Sequence, residues 1–224
     1  MAKSKVYFTP AGATNWVESM IVKAKEMFYV AELDKCIKPG DSVAIKIHCG
    51  EYNRTASLRP EYVAAIVEEV KKCGGKPFVT DTTTLTYHLY NSRFDEINIR
   101  KCAYRHGFNP NSLGAPFIVA DGLKSENFQT VKTKGILSEI EVAGAIAQAD
   151  AMIVVSHCKG HELSGFGGAI KNLGMGCTSQ AGKLRQHRVV GLEIDTSKCI
   201  GCGKCKEVCA FDVPEIIEGK AHNR

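Results

Sequence analysis

The sequence predicts an α/β fold in which helices flank a mainly parallel sheet. Two observations carry this prediction and the division of the chain into two parts. Short apolar runs alternate with amphipathic helical patterns through 1–195, which is the arrangement that produces βαβ units. The pattern changes near 195–198 to one rich in Gly, Cys and Lys. We therefore predict an α/β domain over 1–195 and a separate short module over 196–224.

Strands are expected where short apolar runs are bounded by turn residues. Six such runs are predicted strands: 5–10, 43–48, 77–80, 116–120, 151–156 and 187–195. The four runs from 43–48 to 151–156 should be neighbours in one sheet, because helical patterns separate them along the chain. The order of the strands does not follow from the sequence.

Helices are expected where apolar residues recur at helical spacing behind a capping residue. Five segments show this pattern: 15–33, 59–75, 94–107, 138–150 and 167–176. Capping boxes are predicted at Asn15 with Glu18 and at Ser138 with Glu141. The helix over 59–75 is the clearest, because Pro60 fits its first turn and its apolar residues fall on one face.

The composition excludes several classes of protein. The net charge of +5 is spread along the chain, whereas nucleic-acid binding requires a concentrated basic face. No apolar run approaches the roughly 20 residues that cross a bilayer, and the N-terminus lacks the apolar part of a signal peptide. We therefore expect a cytoplasmic protein with no nucleic-acid and no membrane partner. Ten cysteines without a secretory signal indicate metal or redox chemistry rather than disulfides.

Four of the cysteines form the run C-x2-C-x2-C-x3-C, at Cys199, Cys202, Cys205 and Cys209. Thiolates are soft ligands, and this spacing is typical of a 4Fe–4S cluster in a ferredoxin-like module. In bacterial ferredoxins the fourth cysteine of such a run binds a second cluster, and Cys209 would do so by analogy. Alternatively, the protein has a single cluster, and either Cys209 or a remote cysteine is its fourth ligand. A zinc site is the alternative. Ala210 stands where proline usually follows such a run.

The segment from Ser156 to Cys177 follows a predicted strand, and open α/β sheets bind ligands at the carboxyl ends of their strands. Three side chains, besides Glu162, are candidates for acid–base chemistry or ligand orientation: His157, Lys159 and His161. A glycine turn leading into a helix offers N–H groups to an anion, with a cation nearby. The candidates for this anion site are Gly165, Gly167, Gly168, Lys171 and Asn172. The alternative is a structural loop with exposed polar residues.

Two other predicted strand ends are polar and face the same crevice in this fold. The first carries Lys46, His48, Glu51 and Arg54, and the second carries Asp81 and Thr82 to Thr84. Each polar strand end by itself is weak evidence for a binding site, because loops after strands are usually polar. Three polar strand ends at one edge of a sheet are stronger evidence for a binding site.

The stretch "SHCKGHELSGFGGAIKNLGMG", followed by "CIGCGKCKEVC", resembles an uncharacterised family of iron–sulfur proteins. The family is catalogued as domain of unknown function number three hundred and sixty-two, and the similarity covers essentially the whole chain. The resemblance implies a binding domain interrupted by a two-cluster ferredoxin insert, with a second cysteine run and a further part of the α/β domain. Neither is in this sequence, so we expect a chain that is truncated relative to the family, with one or two 4Fe–4S clusters in the complete protein.

Three functions are consistent with these residues. The first is redox chemistry, in which a 4Fe–4S centre exchanges electrons with a ligand or partner at the crevice. The second is an electron carrier or cluster-transfer protein without a substrate. The third is a binder of a small anionic metabolite with a structural cluster. The expected partners are a redox protein or a small anionic ligand, and the sequence does not decide whether the protein is an enzyme.

Overall fold

The computed structural model describes residues 4–85, 93–161, 164–188, 194–209 and 214–223. The strands in these ranges are β1 (Ser42–Lys46), β2 (Lys76–Asp81), β3 (Phe117–Val119), β4 (Phe128–Lys132), β5 (Glu139–Ala143), β6 (Ala151–Val154), β7 (Lys159–His161), β8 (Gly165–Gly167), β9 (Pro214–Ile217) and β10 (Lys220–Asn223). The α-helices are α1 (Met20–Val30), α2 (Pro60–Lys72), α3 (Glu96–Arg105), α4 (Pro110–Leu113), α5 (Gly144–Ala147), α6 (Ala169–Gly174), α7 (Gln180–Arg188) and α8 (Lys204–Val208).

The central sheet has four parallel strands in the order β3-β2-β1-β6. Val43 of β1 pairs with Pro77 on one side and with Ala151 on the other. The α/β fold class is therefore confirmed, and the four predicted strands are neighbours in one sheet. All four run in one direction, so their carboxyl ends lie along one edge.

The core lies between this sheet and the helices that cover it. In α2, Pro60 occupies the first turn, and Val63, Val67 and Val70 are fully buried against the apolar strands. Each such side chain contributes about 1.5–3 kcal/mol through burial. The chain leaves α2 through Gly74, whose φ of 81° is the left-handed conformation that favours glycine. The helices predicted over 59–75, 94–107 and 167–176 are confirmed as α2, α3 and α6.

The predicted strand over 5–10 is wrong. Val6 and Phe8 are almost fully exposed, and the segment pairs with no strand in the described part of the chain. Its short apolar run resembles a strand, but a strand forms only where a neighbour satisfies its backbone groups. The lysine of α1, Lys23, instead donates to the carbonyls of Pro10 and Gly12, which fixes the end of this segment.

The predicted helix over 138–150 is also wrong. Its first half is β5, which pairs antiparallel with β4, and only the short helix α5 follows. Glu141, expected in a capping box, is buried and forms an ion pair with Arg185 of α7. The pairing with β4 and the contact with α7 override the helical pattern of this segment, because tertiary contacts outweigh local propensity.

The predicted helix over 15–33 is divided into two parts. Asn15 caps a 3-10 turn at Trp16–Glu18, and Ser19 then caps α1. The capping box is incomplete, because the Glu18 carboxylate accepts from the N–H of Thr14 rather than from that of Asn15. The strand expected over 187–195 lies mostly outside the described residues.

The cysteine segment consists of a loop, the short helix α8 and the antiparallel hairpin of β9 with β10. Among the residues that the structure describes, no helix is both long enough and apolar enough to cross a bilayer.

Candidate functional site

A buried ion pair lies at the carboxyl edge of the sheet. Lys46 and Asp81 are the last residues of β1 and β2, and their side chains are 1% and 4% exposed. The ammonium of Lys46 donates to Asp81 Oδ1 over 2.9 Å and to Asn172 Oδ1 over 2.7 Å. The sequence places these residues at the same edge, and the structure brings them into direct contact.

Asp81 is the acceptor at the centre of this network. Besides Lys46, it accepts from the backbone N–H groups of Thr82 at 2.9 Å and Cys49 at 3.1 Å, and from Arg93 at 3.4 Å. Burial alone raises the pKa of Asp81, but the positive charges of Lys46 and Arg93 outweigh it and hold this pKa well below its usual range. The carboxyl group is therefore ionised at neutral pH.

Arg93 is a buried cation that the sequence analysis missed. Its guanidinium joins Asp81 to Glu51, and only 9% of its side chain is exposed. Burial lowers the pKa of Arg93, but Glu51 and the other nearby negative groups raise it above its ordinary value. Its Nε has no hydrogen-bond partner within the described residues. No sequence signal distinguishes Arg93 from the surface arginines near it.

Asn172 has a structural position. Its amide oxygen accepts from Lys46, and its Nδ2 donates to Ser156 Oγ at 2.9 Å and to the carbonyl of Val155 at 3.4 Å. The side chain is buried and links α6 to the ends of β1 and β6. Asn172 was predicted to bind an anion, and in the structure both ends of its amide are used by the protein itself.

A second buried layer lies beside this network. Lys183 of α7 donates to Thr82 Oγ1 at 2.8 Å and to the carbonyl of Thr178. Burial lowers the pKa of Lys183 to about 8. Thr83 and Ser125 both donate to the buried carboxylate of Asp121, which follows β3. Lys183, like Arg93, was not foreseen, because α7 shows no apolar periodicity.

The predicted acid–base residues lie on the outer side of this network. His157 follows β6, and its ring lies 6.0 Å from the ring of His48 in an edge-on arrangement. Both ring nitrogens of His157 are buried without a hydrogen-bond partner in the described chain. Burial lowers the pKa of His157, and the charge of Lys159 lowers it further, so the ring is neutral at pH 7. His161 lies at the end of β7, in an extended segment.

The glycine segment forms a hairpin and not an open loop. Gly165, Gly167 and the residue between them form β8, which pairs antiparallel with β7. Gly168 precedes α6, which has six residues and no side-chain cap. The stems of Lys159 and Lys171 both pass within 4.0 Å of the point where a side chain on Gly167 would begin. The two lysine side chains therefore lie close together over the hairpin.

Lys159 and Lys171 are cations without carboxylate partners among the described residues. Burial and the neighbouring charge of Lys159 both lower the pKa of Lys171. The inner cations Lys46 and Arg93 are paired with Asp81 and Glu51. Among the described residues, the outer face of the site therefore carries positive charge that no carboxylate compensates.

The cysteine run contains one thiol with a distinctive environment. Cys199 Sγ accepts backbone N–H groups from Gly201 at 3.4 Å and from Ala221 at 3.3 Å. These hydrogen bonds lower the pKa of Cys199, because they favour the thiolate. Gly201 and Gly203 have φ values of 70° and 72°, so the loop turns through left-handed conformations between the cysteines. Within the described ranges, no three His, Cys, Asp or Glu side chains converge as a metal site.

A comparison with protein families gives a match over residues 43–204 to a family described as "Domain of unknown function (DUF362)". The protein belongs to this family. Ferredoxin-2 of Desulfomicrobium norvegicum is 54% identical over 28 residues, which are 12% of this chain and 48% of the ferredoxin. The similarity thus spans about half of that ferredoxin. No solved structure matches the chain.

Proposed function

We propose that this protein binds a 4Fe–4S cluster and exchanges electrons through it with a ligand or partner at the strand-end crevice. Cys199, Cys202 and Cys205 would bind iron, and Cys209 would bind the same cluster or a second one. The similarity to a ferredoxin, in a chain whose cysteine run has ferredoxin spacing, is the observation that carries this proposal. A bound cluster would supply one-electron transfer.

The environment of Cys199 supports its assignment as a thiolate ligand. The two N–H groups directed at Cys199 Sγ are the kind of hydrogen bond that stabilises a cluster-bound thiolate and tunes its potential. The glycine turns allow the backbone to approach sulfur closely. All ten cysteines are unpaired, which is in keeping with a reducing compartment such as the cytoplasm.

The test is iron and sulfide analysis of protein purified without oxygen. We expect a brown protein with broad absorption near 400 nm, roughly where iron–sulfur proteins absorb, and with acid-labile sulfide. Replacing Cys202 by serine should reduce the iron content, whereas replacing the isolated Cys36 by serine should not. A colourless protein with stoichiometric zinc would contradict the proposal, and zinc would then be the occupant of the cysteines.

The crevice is the proposed binding site for an anionic group of the ligand. Lys159 and Lys171 converge beside the neutral His157, and neither lysine has a carboxylate partner in the described chain. The charge of Lys159 lowers the pKa of Lys171, and an anion that lies between the two side chains is attracted by both charges. His157, with both nitrogens unpartnered, would orient the ligand or move a proton to or from it.

The variant Lys171→Met tests this site, because it keeps the stem and removes the charge. One charge-assisted contact contributes about 1.5–3 kcal/mol, so the affinity for small carboxylates and phosphates should fall by roughly tenfold to a hundredfold. Lys38→Met, at the opposite end of β1, is the matched control. Equal thermal stabilisation of the Lys171→Met variant and the unaltered protein by these anions would refute the role of Lys171. A voltammetric signal that a bound anion shifts would further separate the redox function from that of a simple electron carrier.

A further inference from the structure

A positively charged cavity lies apart from Lys159 and Lys171 of the hairpin. It has a volume of about 280 Å³ and lies between the loop after β1, the start of α2 and the end of α3. Its lining comprises Arg54, Thr55, Ser57, Leu58, Arg59, Pro60, Arg105 and His106. This volume is at the small end of the range for ligand sites, so it suits a phosphate group with a few attached atoms and not a dinucleotide.

The described residues that line this cavity do not compensate its positive charge. Three arginines line it and no carboxylate does. Neither Arg54 nor Arg59 forms an ion pair within the described residues. Three arginine charges around one small cavity repel one another, and a bound anion reduces that repulsion. Their fork of N–H donors matches the oxygens of a phosphate group.

Arg105 is held in position by an aromatic ring. Its Nη1 donates to the hydroxyl of Tyr52 at 2.9 Å, and its guanidinium carbon lies 4.6 Å from the centre of the Tyr52 ring. This contact fixes the side chain before any ligand arrives, and a fixed donor loses less entropy when it binds. His106 is fixed as well, because its Nδ1 lies 2.7 Å from the carbonyl of Cys49.

The start of α2 adds a further attraction for an anion. The helix has 13 residues, and Arg59 at its N-cap provides no side-chain hydrogen bond to the first turn. Pro60 has no N–H and the N–H of Tyr62 donates to the carbonyl of Arg59, so this turn attracts an anion mainly through the positive end of the helix dipole. The hydroxyls of Thr55 and Ser57 line the same cavity. Cations, hydroxyls and an uncapped helix start are therefore combined around one small concave volume.

We propose that this cavity binds the phosphate group of a small phosphorylated ligand. The site is separate from the proposed cluster and from the Lys159–Lys171 pair, and it goes beyond the function proposed above. It is joined to the strand-end network through Cys49, whose carbonyl contacts His106 and whose N–H donates to Asp81. A ligand held here by its phosphate would extend toward the carboxyl edge of the sheet.

The experiment titrates inorganic phosphate and methyl phosphate into the protein at constant ionic strength, followed by calorimetry and thermal unfolding. Arg54→Gln and Arg59→Gln remove exposed charges that make no ion pair in the described structure, so both variants should fold. Lys101→Gln is the matched control, because Lys101 lies 5.6 Å from the Tyr52 ring but does not line the cavity. Each arginine variant should bind phosphate roughly tenfold or more weakly, and the control within about twofold of the unaltered protein.

Two outcomes would overturn this proposal. One is phosphate stabilisation no greater than that given by chloride at the same ionic strength, which would leave an acidic protein surface as the occupant of the arginines. The other is equal phosphate affinity in all the variants, which would place the anion elsewhere. Arg59→Lys gives a further check, because it keeps the positive charge and loses the forked N–H donors of the guanidinium group. Its phosphate affinity should lie between that of the unaltered protein and that of Arg59→Gln. Iron content should be unchanged in every variant, so the test does not depend on the cluster.

Discussion

Asp81→Asn gives the sharpest test of the buried network. The substitution keeps the size of the side chain and removes the charge that compensates Lys46 and Arg93. Breaking a buried pair by removing one partner costs about 3–5 kcal/mol, because the remaining charge stays buried without compensation. At roughly 2–4 °C per kcal/mol for a protein of this size, the melting temperature should fall by about 6–20 °C.

The assay is thermal and denaturant unfolding at neutral pH, with Glu68→Gln as the control. Glu68 pairs with Lys25 over 2.5 Å, but its side chain is 57% exposed. An exposed pair of this kind contributes less than about 1 kcal/mol, so the control should be nearly as stable as the unaltered protein. Equal losses in the two variants would show that burial does not set the strength of the Lys46–Asp81 pair.

The pH dependence provides an independent check of the same reasoning. The pKa of Asp81 is lower in the folded protein than its ordinary value of 3.8. The unfolded chain therefore binds the proton more readily, and the stability from this group is fully present above the unfolded pKa. It is lost as the pH falls below about 4, toward the lower folded pKa. The difference between the unaltered protein and Asp81→Asn should therefore shrink below pH 4, and a constant difference would refute this account.

Two further predictions concern other parts of the chain. In Gly201→Ala the new Cβ would collide with the carbonyl of Gly219. Gly203 has a similar positive φ, but a Cβ there would meet nothing within 4 Å. Gly201→Ala should therefore lose more iron than Gly203→Ala, and equal losses would show that backbone strain alone matters. The pKa of Lys183 is about 8 when folded against 10.5 ordinarily, so the unfolded chain holds more protons between these values and stability should rise with pH there. Lys183→Met should lack this rise, and an identical slope in both proteins would refute it.

The parallel sheet could be predicted because each of its strands is a short apolar run, separated from the next by a helical pattern. The run at β1 ends in polar residues, and β2 and β6 repeat the pattern, so both the strands and their polar ends are visible in the sequence. The segments 5–10 and 138–150 could not be predicted. Whether a short apolar run or a helical pattern forms a strand depends on a partner strand, and the sequence does not show where that partner lies.

The candidate site could be predicted only in part. The sequence predicts the correct edge of the sheet for three residues, because the ends of parallel strands meet there: Lys46, Asp81 and Asn172. Their partners could not be predicted, since a polar side chain at a strand end contacts either a ligand or another protein group. For Asn172 the structure shows protein contacts at both ends of the amide. For Lys171 it shows no carboxylate in the described chain, and this difference selects Lys171 over Asn172 for the binding test.

Loss of a charge from the inner network and from the outer lysines should affect anion binding differently. The inner cations are paired with carboxylates, so this layer positions the edge of the sheet and adds little net charge. Asp81→Asn removes a negative charge from it and should leave anion affinity unchanged or slightly raised, provided that the variant is assayed below its melting temperature. Lys171→Met removes a positive charge from the outer layer and should weaken the same binding by roughly tenfold to a hundredfold. Calorimetric titration of both variants with one carboxylate and one phosphate measures the contrast. If Asp81→Asn weakens binding as much as Lys171→Met, the inner network must hold the lysines in place, and anion binding and the stability of the edge would then depend on one shared set of contacts.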